Sequence, residues 1–221
     1  MGKRYQHVIW DWNGTLLNDI DHSIVSINKV LRKYDKPEID LNIYLREFDF
    51  PVRDYYERIG FDFKEIPFEV VGTEFIKEYY ANWQVCQLSK DALYVLESIK
   101  AAGLSQSILS AAGVDRLEEC TSFFNIQGYF TELTGLNHHY ANSKLDVAKE
   151  FMERSKLDPA RVLFVGDTTH DYEVASAIGT DCILYLNGHH PEEKLRGCGV
   201  PIIHSLRQVL EYVQDWSCYM I

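Results

Sequence analysis

Acidic side chains follow two apolar stretches that lie far apart in the chain. Asp11 comes directly after the run 8–10, and Asp167 closes the run 161–166. Such runs are typical of buried parallel strands, and parallel sheets bind ligands at the carboxyl ends of their strands. Asp171 comes four residues after Asp167, at the start of a predicted helix, so it can face the same space. Clustered carboxylates repel one another, and oxygen ligands suit Mg²⁺, so the sequence predicts a magnesium site here.

Each of these residues also has an ordinary structural interpretation. Taken alone, Asp11 could cap the next helix or pair with a lysine, Ser110 could cap a helix, and Lys144 could be a solvated surface residue. Their order is more specific: a carboxylate after the first strand, a hydroxyl after the second, a lysine, and two acids after the strongest strand. A carboxylate is ionised at pH 7 and can attack phosphorus once a divalent cation and a lysine neutralise the phosphate. The pattern therefore predicts phosphoryl transfer through an aspartyl-phosphate.

The elements that must position these residues alternate between strands and helices. The alternation predicts an α/β fold with a doubly wound parallel sheet, because right-handed crossovers cover both faces of such a sheet with helices. In the common strand order 3-2-1-4-5 the first and fourth strands are neighbours, so Asp11, Asp167 and Asp171 converge. The predicted strands are 8–10, 107–109, 130–134, 161–165, 182–186 and 202–203.

One long interval breaks this alternation. Residues 12–109 separate the first two strand ends, whereas a whole crossover unit needs only about 30 residues. The sequence pattern of almost the whole interval is typical of helices. It predicts an all-helical cap domain at 18–85, inserted into a core made of 1–17 and 86–221, with two linkers that could act as a hinge. The alternative is a helical decoration packed on the side of the core.

The composition narrows the possible partners. The 221 residues are 46% hydrophobic and carry a formal charge of −11, which would repel nucleic acid and anionic bilayers. No apolar run approaches the roughly 20 residues of a membrane span, and the first residues lack the apolar stretch of a signal peptide. Five cysteines without CxxC spacing predict neither a disulfide framework nor a zinc site, and they favour a cytoplasmic protein. The sequence does not indicate the oligomeric state.

The ordered set DxNGT, a hydroxyl, a lysine and GDxxxD resembles the haloacid dehalogenase superfamily of phosphohydrolases. Within it, the chain is similar to the helical-cap branch that includes phosphoglycolate phosphatase and β-phosphoglucomutase. The resemblance covers essentially the whole chain. It implies a Rossmann-like core and a Mg²⁺-dependent phosphatase that acts on a small phosphorylated metabolite.

The resemblance also implies roles for individual residues. Asp11 would be the nucleophile, and the backbone carbonyl of Asn13 would be a metal ligand. Ser110 and Lys144 would hold the phosphoryl oxygens. The other implied contacts are those of Asp167 and Asp171 with the metal and those of Gly14, Thr15 and Ala111 with the substrate.

Arg53 lies where relatives place a substrate-selecting loop, and its guanidinium could bind a second anionic group. An ion pair with Asp54 or Glu57 at the start of a helix is the alternative.

Asn13 departs from the family pattern, which usually has an acid at this position. An amide can neither protonate the leaving oxygen nor activate water, and such proton transfer is typically worth about 10² to 10⁴ in rate. Three interpretations stay open. The enzyme favours good leaving groups such as acyl or aryl phosphates, it recruits another acid and base, or it binds a phosphorylated ligand without turnover. Candidates for a replacement acid and base are His138, His139 and His170.

A phosphonatase-like enzyme that cleaves C–P bonds is a further alternative. It would need a Schiff-base lysine in the cap, although a solvated helical face also accounts for lysines there. The available lysines are Lys29, Lys33, Lys36, Lys64 and Lys77.

Overall fold

A computed structural model describes residues 5–136 and 143–213. Its centre is a six-stranded sheet in which every pair of neighbouring strands is parallel. The strands are β1 (His7–Trp10), β4 (Ser105–Leu109), β5 (Glu132–Thr134), β6 (Val162–Gly166), β7 (Asp181–Tyr185) and β8 (Ile202–Ile203).

The strand order is β5-β4-β1-β6-β7-β8. This confirms the predicted 3-2-1-4-5 arrangement, to which β8 adds a sixth strand at one edge. All four residues of β1 are buried, as its apolar sequence predicts. In the register of the sheet Trp10 lies beside Ile108 of β4 and Val165 of β6, so the first and fourth strands are neighbours and end at the same level.

Helices cover both faces of the sheet. They are α5 (Ala92–Ala101), α6 (Val114–Phe123), α7 (Lys144–Ser155), α8 (Thr169–Ile178), α9 (Glu192–Arg196) and α10 (Val209–Val213). One hydrophobic cluster joins Val8 and Trp10 to α5, α6 and α10, and a second joins Ile9 and Phe164 to α7 and α8. Alternate residues of β1 therefore pack on opposite faces, as expected for a strand buried on both sides.

Four more helices precede β4 and lie outside the sheet. They are α1 (Ile20–Lys33), α2 (Leu41–Glu47), α3 (Val52–Arg58) and α4 (Phe68–Ala81). They have a hydrophobic cluster of their own, which includes Ile27, Leu31, Tyr44, Tyr55 and Val71. We call α1–α4 the helical unit. The division of the chain into a core and a cap at the bounds given above stays a prediction.

The segments that enter and leave the helical unit pair with each other as two short antiparallel strands. These are β2 (Leu17–Asn18) and β3 (Gln87–Leu88), and Ser89 N–H also donates to the carbonyl of Leu16 at 2.8 Å. Two residues are too few to show an alternating pattern, so the sequence does not predict this pair. The pairing brings the two linkers together directly beside the turn that carries Asp11.

The remaining differences concern the ends of elements. Helix α4 ends at Ala81 and a 3₁₀ turn, Trp83–Val85, follows it, while a 3₁₀ turn at Leu206–Gln208 leads into α10. The five-residue helix α9 was not predicted, since it is too short for a periodic signal. Among the described helices, none is long and apolar enough to cross a bilayer.

Candidate active site

A tight turn places Asp11 at the carboxyl edge of the sheet. The Asp11 N–H donates to the carbonyl of Val165 at 2.9 Å, which continues the pairing of β1 with β6. Gly14 then adopts a φ of +77°, and its N–H donates to the carbonyl of Leu17 at 2.9 Å. A Cβ at position 14 would lie 2.3 Å from Oδ2 of Asp167, so only glycine leaves room for that carboxylate.

Asp11, Asp167 and Asp171 meet at this edge. One carboxylate oxygen from each lies within 4.8 Å of the others, and all three side chains are buried. Ligand oxygens of one Mg²⁺ ion are about 2.1 Å from the metal and hence at most about 4.2 Å apart, so small side-chain adjustments suffice to bind the ion. Asp11, Asp167 and Asp171 are therefore close enough to share one ion after such an adjustment.

Lys144 is the cation nearest to these carboxylates. It begins α7, where the Ser143 hydroxyl accepts the N–H of Asp146 at 3.2 Å and caps the helix. Its Nζ forms an ion pair with Asp11 and another, at 2.5 Å, with Asp171. The Lys144 side chain is only 5% exposed, so it is not a solvated surface lysine.

The buried charges do not balance. Burial raises the pKa of Asp11 well above its usual range against the opposing effect of Lys144, and burial raises the pKa of Asp167 to about 6. Burial acts in the same direction on Asp171, but Lys144 and the hydrogen bonds from Thr168 hold its pKa below the usual value. Three ionised carboxylates with one ammonium leave two negative charges in a low-dielectric site. A divalent cation would balance them, so this donor set fits Mg²⁺.

Asp19 is a residue of the site that the sequence pattern does not identify. It occupies the N-cap position of α1, but its side chain makes no capping hydrogen bond. Its carboxylate instead accepts the N–H of Gly14 at 2.9 Å, the side-chain amide of Asn13 at 2.8 Å and the hydroxyl of Tyr79 at 2.7 Å. Asp19 thus fixes the turn that follows the nucleophile position and connects it to the helical unit.

His189 is the second residue that was missed. Its Nε2 lies 3.2 Å from Asp19, its backbone N–H donates to Asp167 at 2.7 Å, and its Nδ1 is 2.9 Å from the Tyr44 hydroxyl. Burial disfavours the imidazolium, but Asp19 and the other carboxylates raise the pKa of His189 to about 9. The available signal was positional: His189 follows the carboxyl end of β7, at the same edge as Asp11.

Several other predicted residues lie at the same place. The Thr15 hydroxyl donates to Asp167 at 2.8 Å, and the buried Ser110 hydroxyl accepts the N–H of Ala112 at 3.1 Å. Ser110 and Ala111 border the cavity described below. The loops that follow β1 and β4 therefore lie together beside the carboxylates.

Other candidates lie apart from the carboxylates. Arg53 is exposed, 3.7 Å from Glu57 and over the ring of Phe63, and it does not border the cavity. This is the ion-pair alternative named above. His170 borders the cavity with its Nδ1 3.2 Å from Glu173, and its ring stacks on Phe50.

Some candidates cannot be placed at the cavity. His138 and His139 lie outside the described residues. Of the cap lysines, all of which are described, none borders the cavity, and Lys29 and Lys33 pair with Glu78 and Glu74.

A cavity of about 220 Å³ separates the carboxylates from the helical unit. Asp11, Asp171 and Lys144 border it on the core side. The opposite wall comes from α1–α4 and the segments between them, mainly through aromatic side chains. A ligand in this cavity would contact the core with one end and the helical unit with the other.

Comparisons with known proteins agree with this architecture. The family model described as haloacid dehalogenase-like hydrolase matches residues 8–185. A phosphoglycolate phosphatase of Aquifex aeolicus is 26% identical over 186 residues, 82% of this chain and 85% of that protein. An N-acetylmuramic acid 6-phosphate phosphatase of Pseudomonas putida is 25% identical over 205 residues, 90% of this chain and 92% of that protein.

The fold is also found among solved structures. A haloacid dehalogenase-like hydrolase from Streptococcus pneumoniae matches with a TM-score of 0.85 at 18% identity, over 95% of this chain and 99% of that one. These findings confirm the resemblance, the α/β fold and the expectation of a phosphatase-type hydrolase. The chain belongs to the haloacid dehalogenase-like hydrolase family.

Proposed function

We propose that this protein is a Mg²⁺-dependent phosphatase that hydrolyses the monoester of a small phosphorylated metabolite through an aspartyl-phosphate on Asp11. The observation that carries the proposal is the convergence of Asp11, Asp167 and Asp171 beside the cavity, with Lys144 paired to Asp11 and Asp171. Relatives named as phosphatases support the same reaction class.

In the proposed reaction a carboxylate oxygen of Asp11 attacks phosphorus and the bond between phosphorus and the ester oxygen breaks. The leaving oxygen takes a proton or departs as an anion, and water then attacks the aspartyl-phosphate to release phosphate and restore Asp11. Lys144 and Ser110 hold the phosphoryl oxygens, with the backbones of Gly14, Thr15 and Ala111 alongside.

Mg²⁺ would be held by Asp11, Asp167, Asp171 and the backbone carbonyl of Asn13. When bound, it supplies positive charge that lowers the repulsion between the phosphate dianion and the attacking carboxylate. Thr15 and His189 hydrogen-bond to Asp167 and hold that carboxylate in place. Arg53 has no part in this proposal.

Asn13 leaves the proton transfers without the usual acid. Its side-chain amide donates to Asp19 and, at 2.8 Å, to the Tyr79 hydroxyl, so it serves to connect the turn to the helical unit. Because an amide does not exchange protons with substrate at neutral pH, the leaving group must depart with little assistance from residue 13.

We also propose that residues 18–85 act as a cap and that the β2–β3 pair is its hinge. The helical unit forms one wall of the cavity, and both linkers pass through this short ladder. Opening at the hinge would admit substrate, and closing would exclude water from the site. A cytoplasmic location belongs to the same proposal, supported by the described cysteines, which are all free thiols.

The test is a panel of phosphate monoesters assayed with Mg²⁺, with EDTA, and with Asp11→Asn as the blank. The proposal expects Mg²⁺-dependent release of phosphate that EDTA and the substitution both abolish. Asn13 favours one rival, a phosphate-binding protein without turnover. Tight binding of beryllofluoride with no turnover on any ester would support that rival and overturn the phosphatase.

A further inference from the structure

The wall of the cavity opposite the carboxylates is aromatic. Aromatic side chains of the helical unit border it, among them Tyr44, Tyr55, Phe75, Tyr79 and Tyr80, together with Phe48 of the segment that follows α2. Pairs of these rings pack against one another, for example Phe48 with Tyr55 at 5.3 Å between centroids. This wall offers an apolar, π-rich surface to whatever group is attached to the phosphate.

The same wall carries no lysine or arginine among the described residues. The basic groups around the cavity are Lys144 and His189, which are engaged by the carboxylates, and His170, which stacks on Phe50. A second anionic group on the substrate, such as a carboxylate or another phosphate, would therefore lie against rings with no cation of its own. Burial of an unpaired charge is strongly unfavourable, so the cavity disfavours such substrates.

One polar atom in the wall lacks a partner. Tyr55 is 2% exposed, and its hydroxyl has no hydrogen-bond partner in the part of the chain that is described. The hydroxyls of Tyr44 and Tyr79, in contrast, bond to His189 and Asp19. Buried hydroxyls are normally satisfied, so the Tyr55 hydroxyl would gain a partner if a small side-chain adjustment brought it to a polar substituent of the ligand.

The size of the cavity agrees with a single ring. A dry cavity of about 150 Å³ is large enough to bind benzene, and this one measures about 220 Å³. The additional space extends to Asp11 and Lys144, where a phosphoryl group would lie.

Asn13 points to the same ligand for a different reason. A phenol has a pKa of about 10, whereas an aliphatic alcohol is about as weakly acidic as water and holds its proton far more tightly. A phenolate can therefore leave phosphorus without being protonated, but an alkoxide needs the acid that residue 13 cannot provide.

On the basis of the proposed function, we propose that the substrate class is the phosphate monoester of a small phenol whose ring carries a polar substituent bound by Tyr55. Asp11 forms the new bond to phosphorus, the P–O bond to the ring oxygen breaks, and the electron pair leaves on the phenolate, which solvent protonates. Water then hydrolyses the aspartyl-phosphate.

Binding of phosphonates, which cannot be hydrolysed, tests the ligand class independently of turnover. With the wild-type protein and Mg²⁺, calorimetry is expected to show that phenylphosphonate binds at least about tenfold more tightly than methylphosphonate. At least one of the ortho, meta and para hydroxyphenylphosphonates should bind more tightly still. Tyr55→Phe should remove that last gain, and Tyr129→Phe, which removes a hydroxyl bound to Glu97 far from the cavity, should keep it.

Turnover of three esters then distinguishes the effect of the leaving group from the effect of the aromatic ring. Phenyl phosphate should have the highest kcat/KM. Benzyl phosphate, which has the ring but an alkoxide leaving group, should show a similar KM and a lower kcat. Phosphoglycolate should be the poorest substrate.

The possible failures are distinguishable. Equal binding of phenylphosphonate and methylphosphonate, or faster hydrolysis of phosphoglycolate than of phenyl phosphate, would overturn the aromatic substrate while a phosphatase could stand. If a hydroxyphenylphosphonate still binds more tightly than phenylphosphonate in Tyr55→Phe, the proposed role of Tyr55 is overturned. The expected phosphonate binding with no hydrolysis of any ester would overturn the phosphatase but leave the ligand class supported.

Discussion

Replacement of Asn13 by aspartate puts a carboxyl group where the side-chain amide now donates to Asp19 at 2.8 Å. If both groups were ionised at that distance, they would repel each other by about 6 kcal/mol at an effective dielectric constant of about 20. That energy corresponds to a rise of about 4 units in the pKa of the new carboxyl. His189, 3.2 Å from Asp19, offsets part of the repulsion. The new group therefore holds its proton close to neutral pH, which is the state of a general acid.

The expected gain depends on the leaving group. For alkyl phosphates, where the departing oxygen needs a proton, Asn13→Asp should raise kcat by about 10² or more, within the range of about 10² to 10⁴ typical of general acids. For phenyl phosphate the gain in the first step should be far smaller, because phenolate leaves unprotonated. The ratio of the two kcat values is the quantity to measure, since it cancels changes in the amount of active enzyme.

Steady-state rates for benzyl and phenyl phosphate should be measured side by side over a range of pH. Asn125→Asp is the matched control, because it makes the same chemical change at an exposed position after α6, away from the cavity and the hinge. It should leave both rates unchanged. Equal gains for both esters in Asn13→Asp, or no gain for either, would refute the reasoning that residue 13 limits proton transfer to the leaving group.

Three further predictions concern positions around the site and at the other end of β1. Gly14→Ala should abolish Mg²⁺-dependent turnover, because the new Cβ would clash with Asp167. Gly103→Ala is the control: Gly103 has a similar φ of +79°, but a Cβ there would have no neighbour within 4 Å, so this variant should lower only the Tm. Asp19→Asn should lower the free energy of unfolding by about 3 kcal/mol, which should be seen as a fall in Tm of about 10 °C, because it leaves buried donors and a histidine without their anion. An unchanged Tm would argue against the hydrogen-bond network around Asp19. Burial lowers the pKa of His7 to about 4 from an unfolded value near 6.5, so the unfolded chain binds the extra proton and stability is lost as pH falls from 6.5 to 4. The loss due to His7 is about 3 kcal/mol and should be absent in His7→Gln when urea unfolding is followed across this range.

Much of the core could be predicted because its signals are local and repeated. The apolar runs that become β1 and β6 are long enough to identify as buried strands, and the rule that ligands bind at strand ends then located Asp11, Asp167 and Asp171. Lys144 was found by its position in the ordered pattern. The convergence of these side chains could be predicted because a parallel sheet brings strand ends together whatever the intervening sequence, and their roles in the reaction stay predictions.

The residues that were missed act through contacts between distant parts of the chain. Asp19 has the sequence context of a helix cap, and nothing local shows that its carboxylate faces a histidine 170 positions later. The β2–β3 pair is two residues long on each side and has no periodicity to detect. No local pattern marks the aromatic residues of α2–α4 as neighbours, and only the three-dimensional structure shows that several of them border one cavity.

The most direct test of the central claim is to locate the phosphoryl group during turnover. The enzyme would be mixed with substrate in the presence or absence of Mg²⁺, quenched in acid, digested with pepsin and examined by mass spectrometry. We expect a phosphorylated peptide whose modification maps to Asp11, present only with Mg²⁺ and missing from Asp11→Asn. Rapid Mg²⁺-dependent turnover with the phosphoryl group on another residue, or undiminished turnover by Asp11→Asn, would contradict it.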